Sequence, residues 1–485
     1  MSTIRGEARL LLATRVAFLA LLGSLVALLA MGSCGNASAG QSSVNDTVGV
    51  KQSSIRQGTF DTKRKAVARM GGCSGTFVTP RLFLTAAHCT RRCPTGGPFA
   101  GCNEYSGGAT RGYDGPASGT IAVADRFGCN ASDLVNDPTC FQDNYQADYV
   151  FFPKVSWANA RDVAIFHVTR NYTGRVIALM DPDELPAGTN LSSSYVGDRV
   201  TIVGFSSQQM PDSRRREGTG TVFKEVNGGP GFEVKALPAP NAQHICSGDS
   251  GGPALFDVLN DRDFHEKVGG VTSTGACGKD PNNLVNSAYI PKSFAERVLA
   301  VQHSAYLGCF RDQSERDLPI LVASENHMTP MHCVNACQAK NFNFAGVQYG
   351  RYCFCGASYG DYGQVPDGDC NTPCTGDNTK TCGGGWRNAV YAVSRGCYKD
   401  SPQRDLADTL VSEPRMTVPR CIEICNQKGF AWAGVQFSLW CACGDSFGSH
   451  GTSNRCTMTC AGASDQSCGG RWASDIFAAR IPKFD

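Results

Sequence analysis

The chain has 485 residues, more than one ordinary core holds, and a prior of roughly 100–200 residues per domain points to two to four domains. A net charge of +2 gives no electrostatic ground for nucleic acid or an acidic membrane as a partner. Twenty-five cysteines and 55 glycines point to an oxidising compartment and a disulfide framework rather than to the cytosol.

At the N-terminus, Arg5, Arg9 and Arg15 precede an apolar run from Val16 to Ala30. That run fits the core of a secretion signal and is shorter than the roughly 20 apolar residues of a membrane span. Two exits are legible. Met31-Gly32-Ser33-Cys34 resembles a bacterial lipobox, with Met where Leu is usual, and would put a lipid on Cys34. Ala37-Ser38-Ala39 is a small-x-small site for ordinary cleavage, which leaves 24 cysteines, an even number that can pair fully. Residues 1–39 therefore read as a signal peptide or lipoprotein signal, and 40–54 as a propeptide or linker. The expected location is secreted or on the outer face of the cell envelope. Membrane contact is expected only through Cys34.

Residues 55–302 show short β-branched runs divided by Gly, Pro and Asn: Gly75-Phe83, Val163-Val168, Arg199-Phe205, Thr219-Val226 and Val268-Thr272. No helical period appears before Pro291-Gln302, which predicts an all-β sandwich or barrel domain. Residues 92–160 are rich in Gly and Asp and hold Cys93, Cys102, Cys129 and Cys140; much of this stretch reads as an insertion tied by local disulfides. The basic runs Lys63-Arg64-Lys65 and Arg214-Arg215-Arg216 read as solvated loops. Asn-x-Ser/Thr sites stand at Asn36, Asn45, Asn130, Asn171 and Asn190, and matter only in a eukaryotic source.

Three segments carry chemistry. Acyl transfer to water needs a nucleophile, a base, an acid that orients the base, and an oxyanion site. In Cys246-Ser247-Gly248-Asp249-Ser250-Gly251-Gly252-Pro253 the glycines allow a tight turn, with Ser250 as nucleophile and the N–H groups of Gly248 and Ser250 as oxyanion donors. His88 ends the strand-like run Leu84-Thr85-Ala86-Ala87-His88-Cys89, and a Cys73–Cys89 bond would pin it. Asp162 heads the apolar Val163-Ala164-Ile165 and can fix the histidine tautomer; Asp148, before Tyr149-Val150-Phe151, competes for that role.

These three motifs, in the order His, Asp, Ser, resemble the trypsin-like serine proteases over about half the chain. The resemblance implies an all-β double six-stranded barrel (chymotrypsin-like) with its site between the barrels, and a Cys246–Cys277 bond beside the substrate pocket. It also implies activation by release of Ile55, whose amine would pair with Asp249. Arg56 stands where the family prefers an apolar residue, and Ser54 argues against trypsin-like self-cleavage. The pocket-floor position is His244, with the opposite wall at Thr272 and Thr274. Without a carboxylate there, Lys/Arg preference loses its physical basis. His244 would favour polar or acidic side chains, or is merely a loop residue if the register is shifted.

The last third of the chain is an internal repeat. Cys309, Cys333, Cys337, Cys353, Cys355, Cys370, Cys374 and Cys382 recur as Cys397, Cys421, Cys425, Cys441, Cys443, Cys456, Cys460 and Cys468, every step but one conserved in length. Residues 303–394 and 395–485 are thus two copies of one small α+β domain, each needing disulfides for stability. Eight cysteines admit roughly a hundred pairings, so connectivity stays open. Pro330 to Lys340 reads as a helix with Cys333 and Cys337 on one face, and Phe344-Ala345-Gly346-Val347-Gln348 as a strand.

Gly-Cys-Phe/Tyr, Ala-Gly-Val-Gln before Cys-x-Cys, and the terminal Cys-Gly-Gly make both copies similar to WSC domains. The resemblance implies binding of polysaccharide or cell wall. Tyr349, Tyr352, Trp386, Trp440 and Trp472 are candidates to stack on sugars, and Trp386 and Trp472 could equally fill the two cores. No metal or organic cofactor is implied, since the repeats lack a paired C-x-x-C pattern. The expectation is a monomeric, exported serine endopeptidase acting on protein or peptide and held on a glycan surface by its tail. The alternative is an inactive or zymogen-locked carbohydrate-binding protein.

Overall fold

A computed structural model describes residues 55, 59–91, 114–124, 126–127, 142–153, 162–180, 196–205, 213–225, 231–236, 248–257, 266–275 and 284–479. The expected signal, Cys34, residues 40–54, His244, the Cys246–Cys277 pair and all the glycosylation sites but Asn171 lie outside them. Asn171 is exposed.

Six antiparallel strands close the first barrel: Val67–Met70 (β1), Cys73–Thr79 (β2), Leu82–Thr85 (β3), Gly115–Val123 (β4), Asp143–Phe151 (β5) and Ala164–Val168 (β6). Its core stacks Phe77 on Tyr172 at 4.5 Å, with Phe83 and Tyr145 each 5.1 Å from Phe77. Burying each such ring contributes about 1.5–3 kcal/mol.

Six more strands close the second barrel: Arg199–Gly204 (β7), Arg216–Glu225 (β8), Gly231–Ala236 (β9), Pro253–Asp257 (β10), Glu266–Gly275 (β11) and Leu284–Tyr289 (β12). Phe232, Phe256 and Tyr289 pack inside it. Two closed six-stranded antiparallel barrels fit the expected chymotrypsin-like double barrel.

Two expectations are corrected. The described parts of 92–160 are not an insertion: β4 and β5 belong to the first barrel and pair along most of their length. On β5, Asn144 and Gln146 are exposed while Tyr145, Ala147 and Tyr149 are buried, so interspersed polar residues hid a period of two. The basic runs are not simply solvated either. Arg215 is fully buried, its Nε donating to Asp61 Oδ2 at 3.1 Å, and Arg64 is gripped by Asp61, Glu217 and Glu266. In an extended segment the middle residue of three faces opposite to its neighbours, which sends Arg215 inward.

Helix α1 (Lys292–His303) follows the second barrel, and Ala305–Arg311 opens the first repeat one residue later. Each repeat is a twisted antiparallel sheet with one helix, α2 (Pro330–Ala339) or α3 (Val418–Gln427). Both helices start the same way. Thr329 Oγ1 accepts from the His332 amide, Thr417 Oγ1 accepts from the Arg420 amide, and a proline sits in the first turn.

The pairing left open by the sequence is the same in both copies. Cys309–Cys370, Cys333–Cys353, Cys337–Cys355 and Cys374–Cys382 in the first match Cys397–Cys456, Cys421–Cys441, Cys425–Cys443 and Cys460–Cys468 in the second. Helix positions four apart meet strand positions two apart, so two parallel bonds rivet each helix to its sheet.

Polar ties join repeats and barrels. Arg297 of α1 donates to Asp114, Asn335 and the Phe152 carbonyl. Lys380 reaches Asp148 at 2.6 Å, and His303 faces Asp475 at 2.6 Å.

Candidate active site between the barrels

The register of β3 on β6 pairs Thr85 with Ala164. His88, three residues past Thr85, and Asp162, two residues before Ala164, therefore emerge at the same end of the first barrel. His88 Nδ1 lies 2.9 Å from Asp162 Oδ2, and the His88 amide donates to Asp162 Oδ1 at 2.9 Å. The ring is 26% exposed and the carboxylate 9%. With the proton on Nδ1 held by the acid, Nε2 keeps its lone pair for proton transfer. The competing Asp148 is occupied elsewhere, by His167 Nδ1 and Lys380 Nζ, each at 2.6 Å. Burial pushes its carboxyl up, but His167 and Lys380 outweigh that and hold it well below the usual range.

The Ser250 turn belongs to the second barrel but is fastened to the first. The Ser74 amide donates to the Ser250 carbonyl at 2.8 Å, and Ser74 Oγ donates to the Gly248 carbonyl at 2.7 Å. The expected Cys73–Cys89 bond is present, and Cys89 Sγ lies 3.7 Å from the Ser250 carbonyl oxygen. The same short covalent loop therefore touches Ser250 at one end and carries His88 at the other. Gly251 holds φ +82°, and a Cβ there would come within 2.2 Å of Thr85 Oγ1 and 2.4 Å of the Ser74 carbonyl, so the turn requires glycine. Gly248, at φ +99°, is the second left-handed position of the turn.

Asp249 is fully buried, and the Ile55 amide donates to its Oδ2 at 3.2 Å, with Ile55 itself buried. Thr272, expected in the pocket wall, is buried. Its backbone clamps the turn, accepting from the Gly251 amide at 2.7 Å and donating to the Gly252 carbonyl at 2.8 Å. The Thr274 side chain lies outside the described part of the structure.

Two residues were missed. Ser273 donates its hydroxyl to Asp162 Oδ2, and Ser74 braces the turn. Both are small polar residues in strands, and only their distant partners reveal them.

In the repeats, Tyr349 is 61% exposed, Trp386 50% and Trp472 42%, so the two tryptophans do not fill cores. Tyr352 and Trp440 lie in strands and are half-buried. Phe437, 46% exposed and not foreseen, is the counterpart of Tyr349. Tyr349, Phe437, Trp386 and Trp472 all sit at φ between +48° and +56°. Arg316 lies over Trp386 at 4.7 Å and bonds Asp312 and Gln348; Arg404 lies over Trp472 at 5.3 Å and bonds Asp400 and Gln436. Each copy thus presents two exposed rings held in a backbone region that disfavours them, one of them under an arginine.

Comparison with known proteins places the WSC domain family at residues 306–384 and 394–470. A "WSC domain-containing protein" of Arthroderma benhamiae is 34% identical over 155 residues, covering 28% of this chain and 21% of that protein. Kremen protein 1 of Xenopus laevis is 31% identical over 177 residues, covering 33% and 39%. The chain spans about a fifth of the length of the first two curated relatives it matches. A Chaetomium globosum protein named "Putative fungistatic metabolite" is 31% identical over 219 residues, covering 39% of this chain and 94% of that protein. With that overlap and two domain matches, the chain belongs to the WSC-domain family.

Proposed function

We propose that this protein is an exported serine endopeptidase carried to polysaccharide surfaces by its two WSC domains. The observation that carries the reading is the hydrogen-bonded His88–Asp162 pair beside the Ser250 turn, where two six-stranded barrels meet. Ser250 attacks the scissile carbonyl, His88 Nε2 takes the hydroxyl proton and later returns it to the leaving amine, and Asp162 stabilises the imidazolium. The amides of Gly248 and Ser250 receive the oxyanion, a contribution of about 2.7–4 kcal/mol per donor when judged by removal. Ser273 and the His88 amide keep Asp162 aimed.

Activation would cut at Ser54–Ile55. The Ile55 nitrogen already stands against the buried Asp249 carboxylate, so a freed ammonium there would gain an ion pair in a dry site. If Cys34 is lipidated, the same cut would release the enzyme from its membrane. In the tail, Tyr349 with Trp386, and Phe437 with Trp472, would stack on sugar faces, and the two copies together would add avidity. Nine disulfides among the described residues support an extracellular or secreted setting.

The test is the intact mass of the mature protein before and after a fluorophosphonate probe, with Ser250→Ala as control. One label, absent from the variant, is expected on a chain beginning at Ile55. No label on such a chain would favour the inactive carbohydrate-binding protein, and none on a longer chain would mean a zymogen.

A further inference from the structure

We propose that Glu325, His327 and His332 form a binding site for one divalent metal ion of the zinc class, at the seam between the first WSC domain and the first barrel. Their ligand atoms all lie within 4.8 Å of one another. Both imidazoles turn Nε2 toward the same atom, Glu325 Oε2: His332 at 3.2 Å and His327 in closer contact. Around a tetrahedral ion with bonds of about 2.0–2.1 Å, ligand atoms stand about 3.3 Å apart, so capture needs only small side-chain adjustments. The fourth position is left to water.

The outer partner is also in place. Tyr149 Oη lies 3.0 Å from His332 Nδ1. A ligating histidine characteristically gives its other ring proton to an oxygen, which fixes the tautomer and presents the free nitrogen to the metal. Tyr149 is buried on β5, so the ion would be anchored through His332 to the barrel wall as well as to the WSC domain. The other His/Cys/acid clusters among the described residues all contain cysteines already spent in disulfides.

The second repeat supplies an internal control. Counting back from the equivalent Cys333 and Cys421, Glu325 answers to Glu413, His327 to Arg415 and His332 to Arg420. In that copy Arg420 binds Glu413 in two-pronged fashion, with contacts of 2.8 and 3.0 Å. The carboxylate at this corner is thus met by a fixed guanidinium charge in copy two. In copy one the same carboxylate meets two imidazoles, soft nitrogen donors that cannot supply a permanent charge but can hold an ion that does.

This inference does not depend on the protease reading, and its readout is metal binding rather than activity. The full chain, stripped by chelator, would be titrated with Zn2+ by calorimetry and with Co2+ by visible absorption. One equivalent is expected, with the intense bands of tetrahedral cobalt and a rise in the thermal midpoint. Glu325→Gln and His327→Arg, the latter installing the residue of copy two, should each weaken Zn2+ by about 100-fold or more, above the ~10–100-fold typical of losing an outer partner. The metal-free thermal midpoint of His327→Arg reports that the variant folds. Absence of binding to the wild-type chain, or one-equivalent binding unchanged in both variants, would overturn the proposal.

Discussion

The two WSC copies share a frame and differ in what they fasten. Their disulfides superpose pair for pair and their helices begin with the same threonine cap. Around that frame, copy one turns Glu325, His327 and His332 toward the barrel's Tyr149, and Lys380 toward Asp148. Copy two puts Glu413, Arg415 and Arg420 at the first set of positions and Gln466 at that of Lys380, where its side chain caps the Val418 amide instead. Cysteine geometry sets the domain, and a few polar positions between the cysteines decide which partners each copy meets.

That comparison can be strained first through its shared part. Cys333→Ser/Cys353→Ser and Cys421→Ser/Cys441→Ser open loops of the same 20-residue separation, between fully buried sulfurs. Each pair of substitutions should lower stability by about 2–4 kcal/mol, equally in the two copies, as read by denaturant unfolding. A clearly larger loss in copy one would show that its contacts to the barrel unfold with it.

A smaller effect is expected at the rings. Trp386→Ala and Trp472→Ala should each weaken binding to insoluble glucan or chitin about tenfold, or about 1.4 kcal/mol. Trp386→Gly adds a sharper contrast. It should lose the same affinity, while glycine at φ +56° relieves a left-handed strain of about 1–2 kcal/mol, so stability should hold or rise. Loss in one copy only would assign glycan binding to that copy alone.

The smallest effect separates the copies by pH. Burial alone would raise the Asp148 carboxyl, but His167 and Lys380 outweigh it and hold the carboxyl low. A carboxylate depressed in the folded state stabilises above its unfolded value of 3.8 and loses that contribution as pH falls through the folded one. The stability gap between wild type and Asp148→Asn should therefore narrow below about pH 4. A gap that stays constant to lower pH would break the link.

The residues with most chemistry were legible because each carries its own neighbourhood. Thr85-Ala86-Ala87-His88-Cys89 and Gly248-Asp249-Ser250-Gly251-Gly252 need a strand end and a tight turn, and both are written locally. Ser74 and Ser273 were not legible, since their partners lie 174 and 111 residues away and a serine in a strand looks like any other. Strand β5 was hidden by the exposed Asn144 and Gln146 that alternate with its buried residues. The cysteine pairing became clear only when helix and strand periods were set against each other. Trp440 was named on residue type and Phe437 was not, whereas exposure follows the turn: Trp440 is half-buried in a strand and Phe437 stands at a left-handed corner.

One residue, Ser304, separates α1 from the first WSC strand. Its hydroxyl donates to the Ala300 carbonyl at 3.3 Å and accepts from the Ser394 amide at 3.1 Å, so the junction is itself stapled to the end of the first repeat. A tail on a loose tether would let a cleft sweep a volume around its anchor. Here the anchor and the cleft keep one bearing, and under the proposed function the glycan lattice would act as a ruler. Which peptide bonds are cut would then depend as much on how far a target chain lies from the polymer as on the side chains it offers.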